Sequence, residues 1–212
     1  MASRAAARPP ASPTARARAP FRRAEPDERR RALIEACARV LAREGATGAS
    51  VRAIAQEAGV SAGLIGHYFA GVEGLLAETY RSVVTRVNGG IFAAVEQAGD
   101  DPRARLDCFI RTNFAPSVAD PALLATWIAF WTLVASRPAF RALHDASNAD
   151  FRGQVEALLA ACGVPPAALR AEATALSALI DGLWLELCLA PDGLSADQAV
   201  AIVRAQLVRI TG

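Results

Sequence analysis

SVRAIAQEAGVSAGLIGHYF, residues 50–69, is the stretch on which the reading of the whole chain turns. Ser50 can cap a short helix carrying Val51, Ile54, Ala55 and Ala58; Gly59 then breaks it, and Ser61 stands where a second cap belongs, ahead of Leu64, Ile65 and Tyr68. Ile54, Ala55, Val60, Leu64 and Ile65 give both short helices an apolar side, and the small Ala58-Gly59 pair permits a sharp turn between them. The spacing predicts a helix-turn-helix unit. By itself such a unit serves a structural hairpin as well as a DNA reader.

Outward from this stretch the periodicity stays helical. Upstream, Leu33, Ile34, Cys37, Val40 and Leu41 recur at helical spacing between Asp27 and Glu44, and Gly45 stands where a helix C-cap is expected. Residues 1–24 are a run of Ala, Arg, Pro and Ser that predicts a disordered arm, with six arginines and no acidic residue. Downstream of Gly71 a long helix runs through Leu75, Leu76, Tyr80, Val83, Val84 and Val87, with a weak point expected at Gly89-Gly90. Beyond residue 100, further helices are predicted over about 102–115, 122–135, 138–162, 166–190 and 196–210, punctuated by prolines. No segment reads as a strand. The fold class is therefore all-α, divided into the arm (1–24), a three-helix reading unit (25–71) and a larger helical domain (72–212).

Composition narrows the function. A chain of 212 residues with 53% hydrophobic content has ample material for a core. Its longest uncharged apolar stretch, Pro121 to Ser136, has 16 residues, fewer than the roughly 18 a membrane span needs, and reads as a buried helix. The first residues lack the apolar segment of a secretory signal, so a cytoplasmic location is expected. Cys37, Cys108, Cys162 and Cys188 are scattered through apolar patterns, with no C-x-x-C pair and two histidines in the chain, which points to reduced thiols and no metal site. The net charge of +2 conceals an asymmetry: outside the arm, 17 arginines face 21 acids. A basic arm on an acidic body suits a polyanion bound at one end, and equally an unused solvated tail. Ser61, His67 and His144 form no signature of nucleophilic catalysis, and no glycine loop is built to cradle phosphate, so neither an enzyme nor any cofactor is expected.

The segment from Ser50 to Phe69, with Arg30-Arg31-Ala32-Leu33-Ile34 before it, the His67-Tyr68-Phe69 ending and the helix from Val72 after it, strongly resembles the TetR family of transcriptional repressors. The resemblance implies a homodimer on a palindromic duplex operator, released by a small-molecule effector. It places the helix from Ala62 to Tyr68 in the major groove, with Ala62, Gly63, Gly66 and His67 toward base edges and backbone and Tyr68 at a phosphate. Ser50, Arg52 and Ser61 join this set at the helix starts, where N–H groups and a guanidinium meet phosphates. Plain surface charge is the alternative for Arg52, and core packing for Tyr68 and Phe69. Val72 stands where the family usually has a basic residue, and Ala62 and Gly66 replace residues often hydroxylated. Specificity then rests on His67, backbone approach at the glycines and DNA shape.

All three tryptophans lie in TWIAFWTLV (126–134) and ALIDGLWLEL (178–187). Trp127 and Trp131 share one helix face, as do Asp181 and Trp184 on another. Walled by these residues and Phe130, a pocket would combine aromatic faces with one carboxylate, a chemistry that favours a quaternary ammonium. Both segments are similar to the choline-responsive BetI-like repressors, and this similarity extends weakly over 28–211. Glu186 departs from it, standing where those relatives tend to carry a basic residue, so an effector other than choline is left open. Two other readings stand: the aromatics fill a core, and Asp181 pairs with an arginine across the dimer. By the same resemblance, dimerisation uses the helices of 166–190 and 196–210, the last with a stripe at Val200, Val203, Leu207 and Ile210. An apolar neutral effector, or a helical adaptor that binds no DNA, are the alternatives in function.

Overall fold

The computed structural model describes residues 26–190 and 192–211, apart from the side chains of 209–211. The arginine-rich arm lies outside the described residues, as does the side chain of Ile210 in the last stripe. Within them there are nine helices and no strand: α1 (Pro26–Gly48), α2 (Val51–Ala58), α3 (Gly63–Tyr68), α4 (Gly71–Gln97), α5 (Pro102–Asn113), α6 (Pro121–Ser136), α7 (Pro138–Ala161), α8 (Pro166–Leu189) and α9 (Ala196–Thr211). Prolines open α5 to α8 in the first turn, where a missing N–H costs nothing. Asp101 and Asp120 cap α5 and α6 by accepting backbone N–H bonds.

The turn chemistry of residues 45–62 follows the sequence with one correction. The backbone leaves helical geometry at Gly45 (φ 69°), where the C-cap was expected, and a further turn carries α1 to Gly48. Gly59 adopts the left-handed conformation (φ 66°, ψ 33°), and its N–H and that of Val60 close back on the carbonyls of Gln56 and Ala55. At Ser50 the hydroxyl accepts the Ala53 N–H at 3.2 Å, the predicted cap. Ser61 is not the predicted cap. Ala62 already has helical dihedrals (φ −58°, ψ −33°), so α3 starts on the Ser61 carbonyl, which accepts the Leu64 N–H, and the Ser61 hydroxyl is left at the surface.

The apolar interior forms two clusters. One joins α1, α2, α3 and the first half of α4 to α6 and the start of α7, around Leu33, Cys37, Ile54, Ile65, Tyr80, Phe130 and Phe140. The other joins the second half of α4 to α5, α7, α8 and α9, around Ile91, Phe109, Val155, Leu176 and Val203. The first cluster crosses the boundary expected at residue 71, because α6 packs along α1. Stretch 121–136 is thus a core helix, which turns through 118° into α7; among the described residues no single helix is long and apolar enough to cross a membrane. Cys37 is fully buried and its thiol is pushed up to about 11 by desolvation, while Cys108, Cys162 and Cys188 are half-buried; all four are free thiols.

The weak point expected at Gly89-Gly90 is absent, and α4 runs through both glycines unbroken. Each glycine costs roughly 1 kcal/mol relative to alanine in a helix. Burial of Val83 before the pair and of Ile91 and Val95 after it outweighs that cost.

Phe130 is wholly inside the first cluster, packed edge-on against Tyr80 (5.1 Å) and Trp127 (6.0 Å), whereas Trp131 next to it is 42% exposed. Phe130→Ala should therefore cost about 3–5 kcal/mol in urea denaturation, and Trp131→Ala well under half of that. The reverse order would misplace the core.

Candidate functional sites

The candidate DNA-reading face is built on α2 and α3. Arg52, Ser61, Ala62, Gly63, Gly66 and His67 are all exposed, Ser50 is exposed at the start of α2, and Phe69 is buried as core. Tyr68 is half-buried, its ring against the first cluster and edge-on to His67 at 5.1 Å, so the core-packing alternative is partly met. A Cβ added at Gly63 or Gly66 would meet nothing within 4 Å. Neither position needs glycine for the protein's own packing. Salt bridges from Arg39 and Arg43 to Glu57 brace α1 against α2 and hold the Glu57 carboxyl below its usual range.

Arg30 has a role that the sequence did not disclose. Its guanidinium donates to the Tyr68 carbonyl oxygen (3.2 Å), pairs with Glu78 of α4 (2.8 Å) and lies 4.9 Å from the Phe69 ring centroid. One side chain of α1 thus ties the end of the reading helix to α4. The start of α4 is in turn paired through Glu73 with Arg137, at the turn between α6 and α7.

In the larger domain a cavity of about 590 Å³ opens between α4, α6, α7 and α8, within the ~300–1,000 Å³ usual for ligand pockets. Trp127, Trp131, Asp181 and Trp184 all line it, as the sequence predicted; Phe130 does not, being sealed behind Tyr80 and Trp127. Glu186 is exposed and outside the lining, which removes it as an argument about the ligand. The Trp184 indole N–H donates to the Val118 carbonyl (2.9 Å), which fixes the ring as a wall.

The cavity also holds residues missed by the sequence reading. Tyr80 and Asn88 line it from α4, and His144, Ser147, Asn148 and Arg152 from α7. Their signal was polar residues at one-turn spacing on a helix face, which reads equally well as a solvated face. The Asn148 amide is hydrogen-bonded to His144 Nε2 (2.9 Å), and His144 Nδ1 is hydrogen-bonded to the Tyr80 hydroxyl (3.1 Å). Burial pushes the Tyr80 phenol above its ordinary value. Asp181 reaches solvent at the rim, yet protein packed about its carboxyl raises the pKa by desolvation, and among the described residues no cation offsets this.

An exposed helix-turn-helix face beside a walled cavity defines a one-component DNA-binding regulator. Residues 33–79 match the family model for bacterial regulatory proteins of the tetR family, and 102–212 match that for the BetI-type transcriptional repressor C-terminal domain. The chain is 34% identical to the HTH-type transcriptional regulator BetI 1 of Chromohalobacter salexigens, over 86% of this chain and 92% of that one. It is 35% identical to BetI of Burkholderia thailandensis, over 76% and 83%. A transcriptional regulator from Pseudomonas aeruginosa PAO1 has the same fold, with a TM-score of 0.84 and 39% identity over 91% of this chain and 94% of that one. A regulator from Saccharomonospora viridis, whose crystal structure is of its complex with choline, shares the fold at a TM-score of 0.73 and 24% identity, over 86% and 96%. The chain belongs to the TetR family, with a BetI-type C-terminal domain, and is a DNA-binding transcriptional regulator and not an enzyme.

Two outcomes follow. Gly66→Ala should stabilise the free protein by about 0.5–1 kcal/mol, since helix propensity improves and nothing is met, yet weaken operator binding at least tenfold if backbone approach contributes to recognition; undiminished binding would remove Gly66 from the interface. A raised carboxyl in the folded state means that Asp181 favours folding below its ordinary value of 3.8 and loses that contribution as the pH rises through the folded value. Asp181→Asn should therefore melt higher than the ligand-free wild type at pH 7.5, with the gain fading on acidification toward pH 4. A lower melting point at pH 7.5 would instead make Asp181 a structural partner.

Proposed function

We propose that the protein acts in the cytoplasm as a homodimeric repressor of a palindromic operator and is released from it by a small cation, a quaternary amine such as choline, bound in the cavity between α4, α6, α7 and α8. The observation that carries this reading is the convergence of Trp127, Trp131, Trp184 and Tyr80 around a cavity whose one carboxylate, Asp181, forms no ion pair among the described residues. Aromatic faces attract a cation that offers no hydrogen bond, each contributing about 0.5–2 kcal/mol once desolvated. The choline complex of the S. viridis regulator supports the same chemistry.

Dimerisation is assigned to α8 and α9, which leave Leu189, Ile202 and Val208 exposed at 63%, 44% and 70%. Two copies then present two α3 helices to successive major grooves about 34–36 Å apart. The route from ligand to DNA runs along α4: Tyr80 lies on the cavity, Glu78 two residues earlier holds Arg30, and Arg30 holds the end of α3. A ligand that favours the released geometry shifts the dimer toward it, and roughly 5.5 kcal/mol of differential affinity takes the switch from 99:1 to 1:99.

Calorimetric titration of wild type and Asp181→Asn with choline and its uncharged carbon analogue tests the cation. Choline should bind wild type at least tenfold tighter than the neutral analogue and lose that margin in Asp181→Asn. Equal affinity of the two for wild type would replace the cation with an apolar neutral effector.

A further inference from the structure

The cavity carries a second unpaired charge. Arg152 of α7 lines it, and among the described residues no carboxylate pairs with its guanidinium and no hydrogen bond engages it. Asp181 is likewise unpaired, and the two do not pair with each other although they line the same space. Between them the Ser177 hydroxyl, one helical turn before Asp181 on α8, is buried in the cavity lining without a hydrogen-bond partner. Buried polar groups are rarely left unsatisfied, and those that are mark a site that something else completes.

We propose that the effector is a zwitterion, with an ammonium head between the tryptophans and Asp181 and a carboxylate held by Arg152. This deepens the cation reading above and rests on it. Helices α7 and α8 are joined by residues 162–165 and pack against each other as an antiparallel pair. Residue 152 therefore lies level with about residue 175. Asp181 lies about six residues further along, or ~9 Å at ~1.5 Å per residue. A spacer of about three methylene groups carries the ligand's two charges further along that interval than a single methylene can. Ser177 lies in the interval, placed to donate its hydroxyl to the same carboxylate. Arg is suited to the task because its planar fork meets both oxygens of a carboxylate.

Calorimetric titration of the full-length protein with choline, with trimethylammonium carboxylates of one and of three methylenes, and with butanoate tests this in wild type and Arg152→Gln. Wild type should bind the three-methylene compound at least tenfold tighter than choline and tighter than the one-methylene compound. Arg152→Gln should lose that preference while binding choline at least as tightly as wild type does and keeping its melting temperature. Choline bound as tightly as every zwitterion, or a preference that survives Arg152→Gln, overturns the zwitterion and leaves the cation reading standing. Failure of every ammonium compound to bind wild type overturns both.

Discussion

Helix α4 passes through both apolar clusters, and the rest of the molecule is arranged around that constraint. Its first half contributes Leu75, Leu76, Tyr80 and Val83 to the cluster that also holds the reading unit, and its second half contributes Ile91 and Val95 to the cluster of α5, α7, α8 and α9. Close-packed interiors are not continuously deformable, so a displacement of α4 in one cluster is felt in the other. The reading unit has no separate core of its own. Its three helices are completed by Leu123, Phe130 and Leu133 of α6, so that the larger domain and the helix-turn-helix share one core.

Polar contacts at the start of α4 give the coupling direction. Arg30 joins Glu78 to the Tyr68 carbonyl, and Glu73 joins Arg137. These pairs are solvent-accessible and contribute little to stability by themselves, but they set where the end of α3 sits relative to α4. The cavity lies immediately beyond, on the Tyr80 to Ile91 face. The cavity and the exposed α3 face are therefore joined by one helix within a few turns.

How much of this was legible in the sequence follows from the range of the interactions. Gly45, Ser50 and Gly59 were readable because caps and left-handed turns are local, and the starts of α5 to α8 were readable from their prolines. Ser61 was misread because a one-residue shift of the helix start decides which group caps it, and Ala62 took the helical position. Gly89-Gly90 was misread because propensity was weighed without the burial of Val83, Ile91 and Val95 on either side. Of the aromatic set, Trp127, Trp131 and Trp184 were found, but Phe130 shares their composition and faces the other way; only the packing against Tyr80 separates it from them. Arg30, Tyr80 and His144 each act through a partner on another helix, and nothing in their local spacing names that partner.

The central claim is that ligand and operator act on one two-state arrangement of α4, and it has a reciprocal consequence. Whatever factor the ligand takes from operator affinity, the operator must take from ligand affinity. The measurement is the calorimetric affinity of a trimethylammonium ligand for the full-length protein, free and saturated with operator duplex, set beside operator affinity measured by fluorescence anisotropy with and without ligand. The account predicts ligand binding weakened by operator, by the same factor as operator binding is weakened by ligand. Ligand affinity unchanged by saturating operator would contradict it.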